Sequence, residues 1–210
     1  MIKVIIADDH ELMREGVKKI LRREPGIRVI GEAASVDELL RLAGTCDADV
    51  LVLDINFPVR SGLDALVELQ RVRPALAVVM LSMYSEDRFA LRALKAGAAG
   101  YVNKASAAEE LVEAVRKVAG GGRHLSPAVA GLLAREVENP TGLAPHGKLS
   151  ARESQILSLI GSGKSVKLIA SQLSITVNTV NTHRARMLKK MGMRANSELI
   201  RYAIEHGLIE

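Results

Sequence analysis

The chain has 210 residues, 48% of them apolar and 25% charged, with a formal net charge of +5 and an isoelectric point near 9.5; this fills one or two folded domains and excludes a disordered chain. The longest uninterrupted apolar run, residues 75–81, is far short of the ~18 residues of a membrane span, and Asp8 and Asp9 arrive before a signal-peptide core can form. No membrane association and a cytoplasmic location are therefore expected, and the single cysteine, Cys46, excludes an internal disulfide framework or a cysteine zinc cluster and fits a reducing compartment.

Up to about residue 120, five short apolar segments (3–7, 27–31, 50–53, 77–82 and 100–102) read as strands. They are runs rather than alternations, as strands buried on both faces of a parallel sheet are. Between them, residues 10–23, 36–43, 62–71, 86–96 and 107–118 repeat apolar side chains near every 3.6 residues. Three of these helices open with Ser and an acid three places on, the pattern of a capping box: Ser35 with Glu38, Ser61 with Asp64, and Ser106 with Glu109. Five alternating β and α elements predict an α/β fold, a doubly wound five-stranded parallel sheet with helices on both faces.

Residues 120–122 and 136–148 are rich in glycine, proline and polar residues, with a short helical pattern at 127–137 between them, which predicts a linker over 121–147. From there on the pattern is helical: 151–160, 166–173, 177–191 and 197–206. Ser150 and Glu153 form another capping box, Thr176 and Asn196 stand where N-caps belong, and Gly161, Gly192 and Gly207 where helices stop. The predicted division is an α/β domain over 1–120, a linker with a short helix over 121–147, and a small all-α domain over 148–210. Charge follows this division: residues 148–210 carry ten Lys/Arg against four Asp/Glu, while residues 1–147 are nearly neutral. A basic end points to nucleic acid. With only five aromatic residues there is little to stack single-stranded bases on, so duplex DNA is the expected partner.

In a doubly wound sheet, functional groups gather at the carboxyl ends of the strands. Asp8 and Asp9 follow the first strand, Asp54 the third, Ser82 ends the fourth, and Lys104 follows the fifth. Three converging carboxylates repel one another unless a cation lies between them, and an oxygen-only donor set selects a hard ion such as Mg2+. Asp54 is then placed as a nucleophile toward a phosphoryl group, with Lys104 neutralising charge and Ser82 bonding a phosphoryl oxygen.

These residues, together with Pro58 and Gly62 after Asp54 and the segment GAAGYVNK that ends at Lys104, resemble the receiver domain of bacterial two-component response regulators over residues 1–120, whose fold is flavodoxin-like. The resemblance implies that Asp54 accepts a phosphoryl group from a sensor histidine kinase. It also implies that Asp8, Asp9, Asp54 and the carbonyl of Asn56 surround Mg2+, and that Lys104 contacts the phosphoryl group. Ser82 and Tyr101 form the switch, with the ring of Tyr101 moving inward. Ala105 stands where many receivers have proline.

In the basic domain, residues 176–191 contain no acid and four Lys/Arg. Val177, Val180, Met187, Leu188 and Met191 supply an apolar face, and a short helix and turn precede the segment, the plan of a helix-turn-helix. Asn178, Asn181, Thr182, Arg184, Ala185 and Arg186 are expected toward bases or nearby groove atoms, and Lys164, Lys167, Thr179, His183, Lys189 and Lys190 toward phosphates. Leu149 to Glu153, Gly163, Lys167, Ile169, Ala170, Leu173, Thr179, Val180, His183 and residues 189–192 resemble the LuxR-type DNA-binding domain over 148–210. Together the two domains resemble the NarL/FixJ type of response regulator. Asn181 stands where that family often has lysine, which implies altered base preference.

The resemblance implies a transcription regulator rather than an enzyme, with promoter DNA, a sensor kinase and RNA polymerase as partners. A homodimer is expected in the active state, because one recognition helix reads only a few base pairs. A phosphatase using Asp54 as a covalent intermediate is the competing enzyme reading, but it calls for an acid two places later, where Asn56 stands. A regulator with an idle acidic pocket, controlled by a ligand or protein, is the third.

Overall fold

Strands that read as continuous apolar runs are buried on both faces, and the computed structural model arranges them that way. It describes all residues except 59, 84–85, 106–107, 139–144 and 210, and the chain divides into two units, Met1–Pro140 and Thr141–Glu210. In the first unit β1 (Ile2–Ala7), β2 (Ile27–Ala33), β3 (Val50–Asp54), β4 (Ala77–Ser82) and β5 (Gly100–Asn103) pair in parallel in the order β2-β1-β3-β4-β5. The helices α1 (Glu11–Arg22), α2 (Val36–Thr45), α3 (Gly62–Val72), α4 (Glu86–Lys95) and α5 (Ala108–Ala119) alternate with them.

Successive strand side chains face opposite ways. Val4, Ile6, Val50, Val52, Val79, Leu81 and Val102 pack with Val17 and Leu21 of α1 and Leu111, Val115 and Val118 of α5. The intervening residues, Ile5, Leu51, Leu53, Met80 and Tyr101, are fully buried as well. The three central strands are thus buried along most of their length, while the edge strand β2 keeps Arg28 exposed and Val29 to Glu32 half-buried.

Several local details differ from the sequence reading. Ser35 accepts from the Glu38 amide as expected, but Ser61 accepts from Leu63 rather than Asp64. The expected cap at Ser106 lies outside the described residues. Helix α2 runs two residues longer than its apolar pattern because Arg73, from the end of α3, donates to the carbonyls of Ala43, Cys46 and Ala48. That guanidinium satisfies carbonyls which a helix end otherwise leaves open.

The region expected to be a linker is partly built into the first unit. The His124 amide donates to Ala99 O at 2.9 Å and forms a parallel bridge with Gly100, at the edge of β5. Ser126 and Pro127 then start α6 (Pro127–Glu138), which buries Val129 and packs against α4. Residues 139–144 of the expected linker lie outside the described part.

The second unit holds a 3-10 turn (Pro145–Lys148), then α7 (Ala151–Gly161), α8 (Val166–Gln172), α9 (Val177–Met191) and α10 (Asn196–Glu205). Leu149, Ile156, Leu157, Ile160, Ile169, Val180, Met187, Leu199 and Ala203 form its core. The capping box of Ser150 and Glu153 is complete, and Thr176 caps α9. Asn196 is the first residue of α10 rather than its cap, which is Ala195 without a side-chain bond. Gly161 does not end its helix by conformation. A Cβ there would stand 2.7 Å from both Ala203 Cβ and Ile209 Cγ2, so glycine is the residue that lets α10 cross α7 closely.

Candidate functional site

Strand register sets the pocket. Asp54, the last residue of β3, pairs with Leu81, and Ser82, the last of β4, pairs with Asn103. The Lys104 amide then donates to Ser82 O at 2.7 Å, which brings the lysine back over the same end of the sheet. Asp8 follows β1, its amide donating to Ala33 O. Four strands thus deliver Asp8, Asp9, Asp54, Ser82 and Lys104 to one place.

At its centre Lys104 Nζ lies 2.7 Å from Asp8 Oδ2 and 2.9 Å from Asp54 Oδ2, and all three side chains are buried. Lys104 thus ion-pairs both carboxylates at once. Burial pushes the Asp54 carboxyl up to about 6, with Asp8 adding to the rise, and Lys104 and the backbone amide of Asn56 acting against it. For Lys104 burial acts downward, but the attraction of Asp54 and Asp8 outweighs it and the ammonium pKa is raised. The lysine is therefore cationic while Asp54 sits near its ionisation point.

Gly62 shapes this pocket by close approach. A Cβ on it would stand 1.9 Å from the Asp54 carbonyl oxygen, so only glycine lets α3 start directly against the end of β3. Its amide donates to Ile55 O at 2.8 Å. Ser82 and Tyr101 are both fully buried, so the tyrosine ring already lies inside the fold.

One ligand atom from each of Asp8, Asp9, His10 and Asp54 lies within 4.8 Å of the others. Clustered carboxylate oxygens are the donors a hard divalent cation takes, and a cation between them relieves their repulsion. The residues present fit such an ion.

In the second unit, α9 divides into two faces. Val180, Met187 and Met191 are buried, while Asn178, Thr182, Ala185, Arg186 and Lys189 are exposed, at helical spacings that put them in one stripe. Asn181 and Arg184 flank the stripe, half-buried. Val177, expected on the core face, is instead 40% exposed at the start of the stripe. Ser174 takes a left-handed conformation, φ 52°, in the turn before α9. Arg152 of α7 donates to Leu173 O at 2.8 Å and so ties the end of α8 to α7.

Other expected contact residues have structural ties. Lys190 Nζ lies 2.7 Å from Glu153 Oε2, a buried carboxylate that also accepts from the Ser150 amide. His183 is half-buried and burial lowers its pKa, so the ring is neutral at pH 7 rather than a cation for phosphate. Thr179 and Thr176 share a hydroxyl contact of 2.8 Å. Lys164 donates to Gln172 at 2.8 Å, and Lys167 is exposed on α8.

The model of the response regulator receiver domain matches residues 4–116, more than half of the chain, and that of the bacterial regulatory proteins of the luxR family matches residues 147–203. The chain belongs to the bacterial response regulators. It is a two-component response regulator of the NarL/FixJ type, with a receiver followed by a LuxR-type DNA-binding domain. Response regulator GacA of Pseudomonas aeruginosa is 37% identical, over all of this chain and 99% of its own length. Response regulator UvrY of Escherichia coli K12 is 36% identical, over 99% of this chain and 96% of its own. Among solved structures, RcsB of Salmonella typhimurium matches with a TM-score of 0.62 at 26% identity, over 96% of this chain and 98% of that one. A complex of the response regulator RcsB with DNA matches with a TM-score of 0.60 at 26% identity, over 96% of each chain.

Two residues near the pocket, His10 and Arg14, and one partner of Glu153 were not evident from the sequence. His10 directly follows the acid pair, the one signal that could have drawn attention to it. Arg14, one turn into α1, donates to Asp8 O at 2.8 Å and holds the backbone beneath the pocket. Glu153 stood out as a capping residue, but nothing local in sequence tells that its second partner is Lys190, 37 positions away.

Proposed function

We propose that Asp54 accepts a phosphoryl group from a sensor histidine kinase and that this controls binding of promoter DNA by α9. The observation that carries the reading is the Asp54 carboxylate: 1% exposed at the end of a central strand, and 2.9 Å from a buried ammonium. Neither a helix cap nor a ladder contact explains it; a nucleophile does. An Asp54 oxygen attacks the phosphorus of a phosphohistidine, the P–N bond breaks, the departing imidazole keeps the electron pair and takes a proton from solvent, and Asp54 carries an acyl phosphate. Lys104, already within reach of Asp54, balances the charge that arrives.

Asp8, Asp9, Asp54 and the Asn56 carbonyl would hold Mg2+, which when bound offers positive charge to the phosphoryl oxygens. Ser82 and Tyr101 act as the switch, Ser82 turning to a phosphoryl oxygen while the buried ring of Tyr101 keeps the space behind it filled. The functional division is a receiver over 1–120, a connection over 121–147 and a DNA-binding domain over 148–210. Asn56, where an Asp54-dependent phosphatase would carry its general acid, supports a regulator rather than an enzyme.

For DNA, the exposed stripe of α9 favours Asn178, Thr182, Ala185 and Arg186 at the groove floor, joined by Val177 as an apolar contact, with Asn181 and Arg184 beside them. Lys167 and Lys189 serve phosphates. The RcsB structures on DNA, one of them with two RcsB dimers on two parallel DNAs, support duplex DNA and a homodimer as the active partners. RNA polymerase is a further partner if the regulator activates transcription. The proposed location is the cytoplasm; among the described residues no helix is long and apolar enough to cross a membrane.

Two experiments test this reading. Treatment with acetyl phosphate and Mg2+ tightens binding to a selected duplex for the wild type and leaves Asp54→Asn unchanged, as read by fluorescence anisotropy; equal tightening in both rules the phosphoryl control out. In salt titrations Lys189→Ala lowers the slope of log affinity against log salt by about 1, as loss of one phosphate contact does. Lys190→Ala leaves that slope unchanged because its ammonium is held by Glu153.

A further inference from the structure

We propose that α9 selects half-sites with A·T base pairs at their centre, its asparagine amides taking adenine and the methyl of Thr182 taking thymine. The inference rests on the reading of α9 as the DNA-contacting helix and names the sequence class it recognises. A recognition helix meets base edges mainly with its N-terminal residues. In α9 that part is Val177-Asn178-Thr179-Val180-Asn181-Thr182, without a charged side chain. Guanine is taken most often by Arg or Lys, whose donors meet its O6 and N7. The cations of α9 begin only at Arg184, and His183 before it is held neutral, its pKa lowered by burial.

In place of charge, the stripe offers amides and methyl groups. Asn178 is exposed and Asn181 half-buried beside it, and a carboxamide matches the N6 donor and N7 acceptor of adenine. Thr182 and Ala185, both exposed, stand one and two turns beyond Asn178 on the same face. Thr182 donates its hydroxyl to Asn178 O at 3.0 Å, so its methyl is the group left to face a groove. Thr176 and Thr179 share a hydroxyl contact of 2.8 Å, which ties those hydroxyls to the start of the helix. Val177, 40% exposed, adds a further apolar group. Such groups meet the C5 methyl of thymine, which in the major groove distinguishes a T·A pair from every other.

The test is selection of duplexes with a randomised central segment by the full chain, with and without acetyl phosphate, then fluorescence anisotropy on the enriched duplex. The enriched half-sites carry A·T pairs at their centre. Replacing their thymines by uracil one at a time weakens binding roughly fourfold at the contacted position, as loss of one buried methyl does. Thr182→Ser, which removes the methyl and keeps the hydroxyl, shows the same loss on the thymine duplex and none on that uracil duplex. Asn181→Lys, carried through the same selection, exchanges an A·T pair of the half-site for G·C. Half-sites centred on G·C pairs overturn the proposal, as do thymine and uracil bound alike at every position. Losses from uracil and from Thr182→Ser that simply add overturn it too, since the thymine methyl would then meet another side chain. An Asn181→Lys selection that returns the wild-type half-site does the same. If Lys189→Ala still weakens binding in any of these cases, α9 remains the DNA-contacting helix and only this inference falls. If no duplex is enriched, or Lys189→Ala binds the enriched one like wild type, that reading falls with it.

Discussion

In metal-free buffer at about pH 8, Asp54→Asn unfolds its receiver with a free energy higher than wild type by on the order of 3 kcal/mol. The cause is the buried carboxylate, whose pKa is raised from 3.8 to about 6 mainly by desolvation; each unit of such a rise corresponds to about 1.4 kcal/mol. The folded state holds the proton more tightly than the unfolded chain, so unfolding releases it between these two values. The Asp54 contribution to wild-type stability accordingly falls as pH rises from about 4 to about 6, and its deficit is complete above that window. Asparagine keeps the shape and never ionises, so the two proteins converge near pH 4 and separate above it. Chemical denaturation at a series of pH values, following the receiver transition, checks this. A constant difference across the range would mean that Asp54 is not a desolvated carboxylate.

Mg2+ acts in the opposite sense on the same group. A cation bound only by the folded, ionised pocket stabilises it by mass action, so added Mg2+ narrows the gap between wild type and Asp54→Asn.

Gly62→Ala destabilises the receiver by more than about 3 kcal/mol, beyond the common range for overpacking. The new Cβ would lie 1.9 Å from the Asp54 carbonyl oxygen and 3.0 Å from its carbonyl carbon. Both are backbone atoms at the end of a central strand, so no side-chain rotation relieves the clash. Either α3 loses its first turn or the end of β3 moves, and both displace Asp54 relative to Lys104. Thermal unfolding shows a lower first transition, with the LuxR-type unit melting as before. A variant as stable as wild type would mean that α3 does not begin against β3 as described.

The strands were legible because parallel strands buried on both faces are continuous apolar runs, and the pocket because its residues follow successive strands in order. Within the pocket, what sequence could not tell was the pairing. Lys104 binds Asp8 as well as Asp54, and His10 turns toward the acids instead of capping α1. Long-range side-chain bonds hid other features. The end of α2 depends on Arg73, about thirty residues later, and Lys190 answers Glu153 across the fold of the second unit. Glycines misled where conformation and close approach look alike in sequence: Gly192 stops α9 in a left-handed conformation, whereas Gly161 makes room for α10. Val177 reads as apolar core from its spacing, but at the first turn of α9 it lies ahead of the packed face and meets solvent.

Phosphoryl transfer to Asp54 is tested most directly by the intact mass of wild type and Asp54→Asn after incubation with acetyl phosphate, in Mg2+ and in EDTA. Wild type alone gains a single phosphoryl group, only with the metal, and loses it to hydroxylamine as an acyl phosphate does. No gain by wild type, or an equal gain by Asp54→Asn, would contradict the assignment of Asp54 as the phosphoacceptor.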